Sequence, residues 1–410
     1  MAQPHSAGSA SSTRPRFEIA DVLRLGGQAY RKTHALDSDQ RKAMYALEHC
    51  RTAVLGGHMD VCNRCAFSRP SYNSCRNRHC PKCQSLSQAK WIEKREARIL
   101  PTSYFHVVLT LPSELRRIAA ANRRVVFGLL FQAASRTLLE LGRDEKRLGA
   151  QLGITAVLHT WTRTLAFHPH VHCLVTGGGL SADGRWVEAK ARGRYLFPVK
   201  VVSRLFRGKF LALLEQAFRA GRLDLDPNDP LARSLVEGLV ARLRRREWVV
   251  YAKRPFAGAE HVFRYLGRYT HRVGISNQRL RAVTETAVTF LTKEGRSLTL
   301  SHEEFLARFL RHVLPSGFVK IRHYGLLAAG NVNTKLEQAR ALLGLPAAPT
   351  GEEQQEQDDW RDYYERLTGH DLRQCPRCTE GRLVALGLAE FARGVQPSRA
   401  TSPTSAEPDT

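Results

Sequence analysis

The stretch that decides the fold is Phe167-His168-Pro169-His170-Val171-His172-Cys173-Leu174-Val175, where two imidazoles flank one apolar residue and an apolar run follows. Such a run predicts a β-strand. Alternate strand residues point to the same face, so His170 and His172 project together and could hold one metal ion, while Val171 faces the core. From this stretch alone, two satisfied or exposed histidines remain the alternative.

A second motif lies further along the chain, Tyr265-Leu266-Gly267-Arg268-Tyr269-Thr270-His271-Arg272. It falls in a predicted helix from Ala259 to Thr270, and tyrosines at i and i+4 share one helix face. Beside a metal ion, two such phenols suit attack on a phosphodiester, in which a tyrosine oxygen retains one end covalently. The alternative is that Tyr265 and Tyr269 are core aromatics, since apolar residues lie nearby on the helical wheel.

With both motifs in place, the chain resembles the two-tyrosine rolling-circle transposases of bacterial insertion sequences (the insertion-sequence ninety-one type). These belong to the HUH endonuclease superfamily, named for His-hydrophobic-His. The resemblance extends over roughly residues 20 to 330. Its blocks, in the family's order, are Ser71-Tyr72-Asn73-Ser74-Cys75-Arg76-Asn77-Arg78-His79-Cys80-Pro81-Lys82-Cys83, His168 to Val175, Tyr265 to Ser276, and Gly317-Phe318-Val319-Lys320-Ile321-Arg322-His323-Tyr324-Gly325-Leu326-Leu327.

The predicted fold class is α+β. The alternation of predicted strands and helices indicates a largely antiparallel central sheet flanked by helices. The resemblance implies an HUH-nuclease-like domain in which that sheet carries the histidines centrally and the tyrosine helix packs across it. A small zinc-binding module precedes this domain.

The resemblance implies a DNA transposase that performs rolling-circle-type transposition. It would cleave and join single strands in a metal-dependent reaction through 5′-phosphotyrosine intermediates. Tyr265 and Tyr269 would be the nucleophiles, and His170 and His172 would hold the catalytic Mg²⁺ or Mn²⁺, with imidazole ligands favouring Mn²⁺. The implied partners are the single-stranded ends of its mobile element, target DNA and host replication factors.

Two histidines leave a metal ion underheld, and His159 is the candidate third ligand. If Thr155 to Thr162 and Pro169 to Val175 pair as a hairpin with a tight turn near Leu165-Ala166, His159 lies opposite His172. The alternative is a sheet histidine bonded to a carbonyl. His106 and His168 are secondary candidates.

The charge balance favours a polyanionic partner, since 63 Lys and Arg against 38 Asp and Glu give a formal net charge of +25. The predicted DNA contacts are Arg76, Arg78, Lys82, Arg244, Arg245, Arg268 and Arg272. The alternative for these arginines and lysines is an ordinary solvated helix face or backbone contacts. No apolar run of about 18 residues is evident, nor is a hydrophobic amino-terminal segment. We therefore expect a soluble, cytoplasmic bacterial protein associated with the nucleoid.

The cysteines are unevenly distributed: six of nine fall between Cys50 and Cys83, and a further pair forms Cys375-Pro376-Arg377-Cys378. In a cytosolic chain such clustering favours structural Zn²⁺ over disulfides. The spacing of the two knuckles predicts one tetrahedral zinc site. Its predicted ligands are Cys62, Cys65, Cys80 and Cys83.

A second zinc site is predicted from Cys75 and His79, which Cys50 or His58 could complete. The alternative is that Cys75 packs as a small hydrophobe and His79 contacts phosphate. The C-terminal knuckle has no evident second pair, and His370 or another chain are its candidate partners. Nine Lys or Arg against two Glu between residues 61 and 98 indicate a DNA-binding module, with a purely structural clip as the alternative.

The predicted organisation has five parts. Residues 1–16 are disordered, 17–100 form a helical and zinc-binding DNA-binding module, and 101–330 form the HUH/two-tyrosine catalytic domain. Residues 331–394 form a C-terminal helical extension with the CxxC knuckle, and 395–410 form a disordered tail.

Two rival functions remain. One is a rolling-circle replication initiator or relaxase, which uses the same chemistry; the zinc block and the lack of a helicase motif argue against it. The other is a non-catalytic zinc-dependent DNA-binding protein. The intact histidine and tyrosine pairs argue against that function.

Overall fold

The computed structural model describes residues 15–96, 98–189, 196–252, 274–293, 295–346 and 359–387. Within these ranges the helices are α1 (Ile19–Thr33), α2 (Ser38–Glu48), α3 (Gln84–Glu96), α4 (Arg116–Ala121), α5 (Arg123–Arg143), α6 (Val199–Arg219), α7 (Pro230–Arg245), α8 (His302–Leu310), α9 (Glu337–Leu342) and α10 (Trp360–Thr368). The strands are β1 (Gly57–Cys62), β2 (Ser68–Tyr72), β3 (Tyr104–Thr110), β4 (Ala150–Trp161), β5 (Phe167–Ser181), β6 (Trp186–Glu188), β7 (Val250–Ala252), β8 (Leu280–Val283), β9 (Ala287–Leu291), β10 (Ser297–Ser301), β11 (Ile321–Gly325) and β12 (Leu383–Leu386).

A six-stranded antiparallel sheet lies at the centre of the molecule, in the order β11-β4-β5-β3-β7, with β6 attached to β5. The two longest strands, β4 and β5, form a hairpin, and β5 carries the histidine motif between β4 and β3. The predicted α+β fold with a largely antiparallel sheet is confirmed. The central position of the histidine strand is confirmed as well.

Helices α5 and α6 cover one face of this sheet. Val171, Cys173 and Val175 of β5 point into that core and are fully buried. Aromatic side chains fill the space between sheet and helices, including Phe127, Phe131, Phe206 and Phe210. This core fixes the register, because a slip of one residue would exchange the apolar residues of β5 for its histidines.

Helix α5 is long and apolar enough, by length and composition, to cross a membrane. The expectation that the chain has no such segment is corrected. In this structure 67% of the most apolar stretch of α5 is buried, and Phe127, Leu130 and Leu138 are fully buried. Packing against the central sheet therefore accounts for its hydrophobicity.

A second core joins the amino-terminal helices to the segment around residue 300. Helices α1 and α2 bury Leu23 and Met44 against Phe290 of β9 and Phe305 of α8. The strands there form a three-stranded sheet, in the order β10-β9-β8.

A small sheet joins the two ends of the described chain, in the order β12-β1-β2. Strand β12 pairs with β1 from Cys62↔Leu383 to Met59↔Leu386. The predicted C-terminal helical extension therefore also supplies a strand to the amino-terminal module.

Candidate functional site: a histidine face and two cysteine clusters

Strand β5 presents its histidines on the face of the central sheet opposite α5 and α6. His170 and His172 are partly exposed, whereas the intervening Val171 is fully buried. Their ring centroids lie 4.9 Å apart. The predicted common face is therefore present, and we call it the histidine face: the surface formed by His106, His159, His170 and His172.

Strand β4 adds His159 to this face, in a register that differs from the predicted one. His159 pairs with His170, not with His172. The chain reverses earlier than the predicted turn at Leu165-Ala166, because Thr162 N–H already bonds to the carbonyl of Ala166 at 3.0 Å. A register shift of two residues keeps a side chain on the same face. His159 therefore still meets both histidines, with ring centroids 4.4 Å from His172 and 5.6 Å from His170.

The tautomer of His170 follows from its neighbour. Its Nδ1 lies 2.6 Å from the carbonyl oxygen of His168, which can only accept a hydrogen bond. Nδ1 therefore carries the proton, and the Nε2 lone pair is left to act as a ligand. Burial lowers the pKa of His170 to about 4, so the ring is neutral at neutral pH, as metal binding requires.

His106 lies behind His172. Its Nε2 is 2.9 Å from Nδ1 of His172, and the two rings stack with centroids 5.1 Å apart. For His172 to offer Nε2 to a cation, its Nδ1–H has to donate to His106. The geometry thus gives His106 the position of an orienting partner of His172, where the sequence had made it a secondary candidate ligand.

The ligand nitrogens of His159, His170 and His172 lie within 4.8 Å of one another. We call these three residues the histidine trio. Three neutral imidazoles fit a divalent cation and leave coordination positions open, as in catalytic sites. Among the described residues no carboxylate belongs to the group, so its donor set suits Mn²⁺ and later metals better than Mg²⁺.

His312 anchors the tip of the β4–β5 hairpin. Its Nε2 lies 3.0 Å from the carbonyl oxygen of Leu165, and its Nδ1 lies 3.1 Å from Thr160 Oγ1. Leu165 is fully buried with φ +61°, a left-handed conformation that costs a non-glycine residue energy. The packing around α8 therefore holds the hairpin tip in place, and with it His159 and His170.

The predicted nucleophiles Tyr265 and Tyr269 lie outside the described residues, as do the predicted DNA contacts Arg268 and Arg272. The described chain stops at Ala252 and resumes at Gly274.

The described residues on either side of this gap both belong to the region of the central sheet. Tyr251 of β7 pairs with Val108 of β3, which pairs with His172, so β7 is two strands away from His172. At the other end, a Cβ on Gly274 would lie 3.1 Å from Leu165 at the hairpin tip. Ala252 therefore lies in the sheet that carries the histidine trio, and Gly274 lies against the tip of the histidine hairpin.

The predicted zinc site of Cys62, Cys65, Cys80 and Cys83 is divided between two clusters. The first cluster contains Cys50, Cys75, Cys80 and Cys83, and the second contains Cys62, Cys65, Cys375 and Cys378. The predicted grouping is therefore wrong. The β1–β2 hairpin is the physical reason: its ladder runs from Gly57↔Tyr72 to Val61↔Ser68. At about 3.4 Å per residue this length separates the knuckle at its turn from the cysteines at its open end.

The sulfur distances in both clusters fit tetrahedral zinc. In the first cluster Cys50 Sγ lies 3.4 Å from Cys83 Sγ and 3.6 Å from Cys80 Sγ. In the second, Cys62 and Cys378 are 3.7 Å apart. A tetrahedron with Zn–S near 2.3 Å has S–S edges of about 3.8 Å, whereas a disulfide requires about 2.0 Å.

The other candidate zinc ligands differ in what they contact. Cys75 joins the first cluster, and Cys50 completes it. His79 belongs to neither cluster: its Nε2 accepts a hydrogen bond from Leu314 N–H at 3.2 Å. Burial lowers the pKa of His79 to about 3, which keeps it a neutral acceptor. His58 lies instead 3.1 Å from a carboxylate oxygen of Asp60.

Comparison with known proteins gives two family matches, one over the zinc-binding module and one over the strands that carry the histidine trio. Residues 22–111 match a family described as "Transposase zinc-binding domain", and residues 153–335 match one described as "Putative transposase". A protein named "Putative transposase y4qJ" from Sinorhizobium fredii (strain NBRC 101917 / NGR234) is 48% identical over 387 residues, covering 92% of this chain and 96% of that protein. The chain belongs to the IS91-type transposases. A second relative, "Transposase for insertion sequence element IS801" from Pseudomonas savastanoi pv. phaseolicola, is 30% identical over 296 residues, covering 68% of each chain. No solved structure matches.

The first cysteine cluster and the histidine trio fall in different family matches. The zinc-binding domain contains the whole first cysteine cluster, so Zn²⁺ is the expected metal there. The second match contains the histidine trio. Cys375 and Cys378 lie outside both matched ranges.

The transposase uses part of its predicted DNA-binding set for internal contacts. Arg78 donates to the carbonyl of Phe318, and Lys82 Nζ lies 2.6 Å from Glu18 and 3.1 Å from the Cys50 carbonyl. These two residues connect the first cysteine cluster to its surroundings. Arg76 and Arg245 are exposed, and exposed Arg244 pairs with Glu215 at 2.7 Å.

Sequence reasoning missed two relationships in the transposase. One is the contact between His106 and His172; the signal was the alternation of β3, but only the register shows which histidine it meets. The other is the union of the Cys62 and Cys375 knuckles. Its signal was that the C-terminal CxxC pair had no partner of its own.

Proposed function

We propose that this transposase cleaves and rejoins the single-stranded DNA ends of its mobile element on the histidine face, with Tyr265 or Tyr269 as nucleophile, in rolling-circle transposition. One observation carries the proposal. The ligand nitrogens of the histidine trio converge on one face of the sheet, where His170 and His172 are partly exposed.

The trio and His106 have separate roles in this proposal. A divalent cation, Mg²⁺ or Mn²⁺, held by the trio would polarise the scissile phosphate and offset its developing charge. The His168 carbonyl keeps Nε2 of His170 available by accepting from Nδ1, and His106 does the same for His172. Both bonds hold the imidazoles in the orientation that a ligand needs.

The described residue that follows the tyrosine motif supports this arrangement. Five positions separate Tyr269 from Gly274, a chain length of at most about 18 Å when extended. Gly274 packs beside Leu165 at the tip of the hairpin that carries His159 and His170. Tyr265 shares a helix face with Tyr269 if the predicted helix forms.

The proposed step is a transesterification. The phenol oxygen of one tyrosine bonds to phosphorus as the bond between phosphorus and the 3′ oxygen breaks. The phenolic proton is released, and the departing oxygen takes up a proton to become a 3′-OH. One phosphodiester is replaced by a 5′-phosphotyrosine, so the bond is conserved and a 3′-OH can later attack it in the reverse sense.

The basic surface supports DNA as the partner. The chain carries a formal net charge of +25. Arg76 and Arg245 are exposed to phosphates, and Arg244 is exposed beside its partner Glu215. Phosphate contacts of this kind supply affinity for any DNA sequence. The protein would act on DNA in the bacterial cytoplasm and nucleoid, with host replication factors as further partners.

Cleavage of end-labelled single strands from the element tests the proposal. We expect cleavage only with Mg²⁺ or Mn²⁺, loss of cleavage in His170→Ala and His172→Ala, and retained DNA binding in both variants. The matched control is His34→Ala, which changes a partly exposed histidine of another surface. Wild-type cleavage in either trio variant, or DNA binding without any cleavage by the wild-type protein, contradicts the proposal.

A further inference from the structure

The second cysteine cluster joins two segments that are far apart in the chain. Cys62 Sγ lies 3.7 Å from Cys378 Sγ across 316 positions, and Cys65 Sγ lies 3.7 Å from Cys375 Sγ across 310 positions. All four sulfurs lie within 4.8 Å of one another. Half of this cluster falls outside residues 22–111, the range that matches the zinc-binding domain.

Backbone donors converge on the sulfurs of both knuckles. Arg64 N–H lies 3.4 Å from Cys62 Sγ. On the C-terminal knuckle, Arg377 N–H lies 3.4 Å from Cys375 Sγ, and Gly381 N–H lies 3.3 Å from Cys378 Sγ. Hydrogen bonds to sulfur favour the thiolate, which is the form that binds a metal.

The two knuckles also fit each other sterically. Asn63 N–H bonds to the Arg382 carbonyl at 3.0 Å, and Arg382 N–H bonds back to Asn63 Oδ1 at 2.9 Å. A Cβ at Gly381 would lie 2.4 Å from Cys62 Sγ, so only glycine allows the backbone to come this close.

We propose that Cys62, Cys65, Cys375 and Cys378 bind a second structural zinc ion that fastens residues 359–387 to the zinc-binding module. The segment also pairs with the module through the β1–β12 ladder, whereas its contacts with α3 are weaker. Arg366 lies 3.5 Å from Glu93 of α3 in an exposed pair, and such pairs contribute little. The zinc ion therefore holds α10 beside the basic helix α3, where Lys90 lies 4.9 Å from the Tyr363 ring centroid.

Metal analysis of the full chain tests this site. After loosely held ions are removed, the wild-type protein should retain two zinc ions. The double variant Cys375→Ser with Cys378→Ser should retain one. The control is Cys173→Ser, which changes a buried cysteine outside both clusters and should retain two. One zinc in the wild type, or two in the double variant, overturns the proposal.

A second readout remains informative if the double variant is poorly folded. A protease site inserted after Thr350 allows the wild-type chain to be cut once it is folded. The C-terminal fragment should co-purify with the rest and leave when a strong chelator removes zinc. A fragment that stays attached without zinc, or leaves while zinc is bound, overturns the proposal.

An independent feature lies at the tip of the β4–β5 hairpin. A cavity of about 630 Å³ opens there between α4, α8 and the hairpin. Four arginines line it, namely Arg116, Arg117, Arg308 and Arg311. In the described part of the chain only Arg308 of these forms an ion pair, with Glu304. Apolar atoms of Leu165 and Phe167 complete the lining.

His168 follows Phe167, a residue of the cavity lining. It lies next to His170 of the trio, with ring centroids 5.4 Å apart. Nδ1 of His168 is buried and has no hydrogen-bond partner among the described residues. A buried polar atom of this kind favours a ligand that supplies the missing partner.

We propose that the cavity binds a nucleotide of the single strand next to the cleaved bond, with its phosphate on the arginines. Arginine suits phosphate through paired, charge-assisted hydrogen bonds. This proposal depends on the proposed function only for the identity of the bound DNA strand. Its test measures binding without divalent ions, and therefore without cleavage.

Binding of a labelled single-stranded element end tests the cavity. Replacing Arg116, Arg117 and Arg311 by Gln should weaken binding at least tenfold. It should also reduce the slope of log affinity against log salt by about 0.7, the contribution of the one phosphate that the cavity neutralises on a single strand. The control changes exposed Arg219 and Arg222 to Gln and should leave the slope unchanged. Equal reductions in both sets, or no reduction in the first, overturn the proposal.

Discussion

The histidine face and the cysteine clusters both gather metal-binding side chains, but they build different kinds of site. His159, His170 and His172 come from one hairpin and form a group of three donors, of which His170 and His172 are partly exposed. Each cysteine cluster closes four sulfurs around one position, and Cys62 reaches Cys378 across 316 positions. A metal site that keeps positions open can take a substrate, whereas a closed site stabilises the fold. Metal loss should therefore affect activity in the first region and folding in the second.

The largest expected effect separates the two regions directly. His170→Ala or His172→Ala should reduce cleavage below detection, because the open site loses a ligand. The midpoint of thermal unfolding should change little, since both rings are partly exposed. Cleavage and calorimetry on the same preparations check this. A strong loss of thermal stability without loss of cleavage would reverse the assignment of roles.

The matching change in the first cysteine cluster should act on folding. Cys80→Ser removes a ligand that is buried beside Cys50 and Cys83. Structural zinc supplies folding energy directly, so one zinc should be lost and residues 15–96 should become protease-sensitive. Limited proteolysis with metal analysis measures this. A folded, zinc-depleted module would contradict the structural role.

A smaller effect is expected at His106, which contacts the trio without belonging to it. His106→Phe removes the acceptor for His172 Nδ1 and should weaken metal activation about 10- to 100-fold. His106→Asn can supply an acceptor oxygen and should recover part of this loss. The Mn²⁺ concentration at half-maximal cleavage is the readout. Equal behaviour of the Phe and Asn variants would indicate that His106 acts only by packing.

The last expected effect concerns pH and changes stability, not activity. Burial lowers the pKa of His312 to about 4 from its ordinary 6.5. As pH falls from 6.5 to 4, His312 therefore becomes protonated in the unfolded chain but stays neutral in the folded chain. Over that window His312 should cost about 3 kcal/mol of stability. His312→Gln should flatten the fall in unfolding free energy, measured by denaturant titration between pH 7 and 4.5. Parallel curves for the two proteins would exclude this role.

The sequence predicted the features that depend on local alternation. His170 and His172 share a face because a strand alternates, and His159 joins them although its register was off by two residues, since that shift preserves the face. The predicted grouping of the cysteines was wrong because CxxC spacing does not determine which two knuckles share a zinc ion. That choice depends on the length of the β1–β2 hairpin and on β12, which returns from the far end of the chain.

The most direct test of the central claim is to map the covalent adduct that the wild-type protein forms with a single-stranded element end in Mn²⁺. Peptide mass spectrometry should find the nucleotide on Tyr265 or Tyr269. His170→Ala should give no adduct, nor should the double variant Tyr265→Phe with Tyr269→Phe. Single Phe variants should keep partial or end-selective adduct formation. An adduct on any other residue, or an undiminished adduct in His170→Ala, would contradict the proposal that the histidine face is the catalytic site.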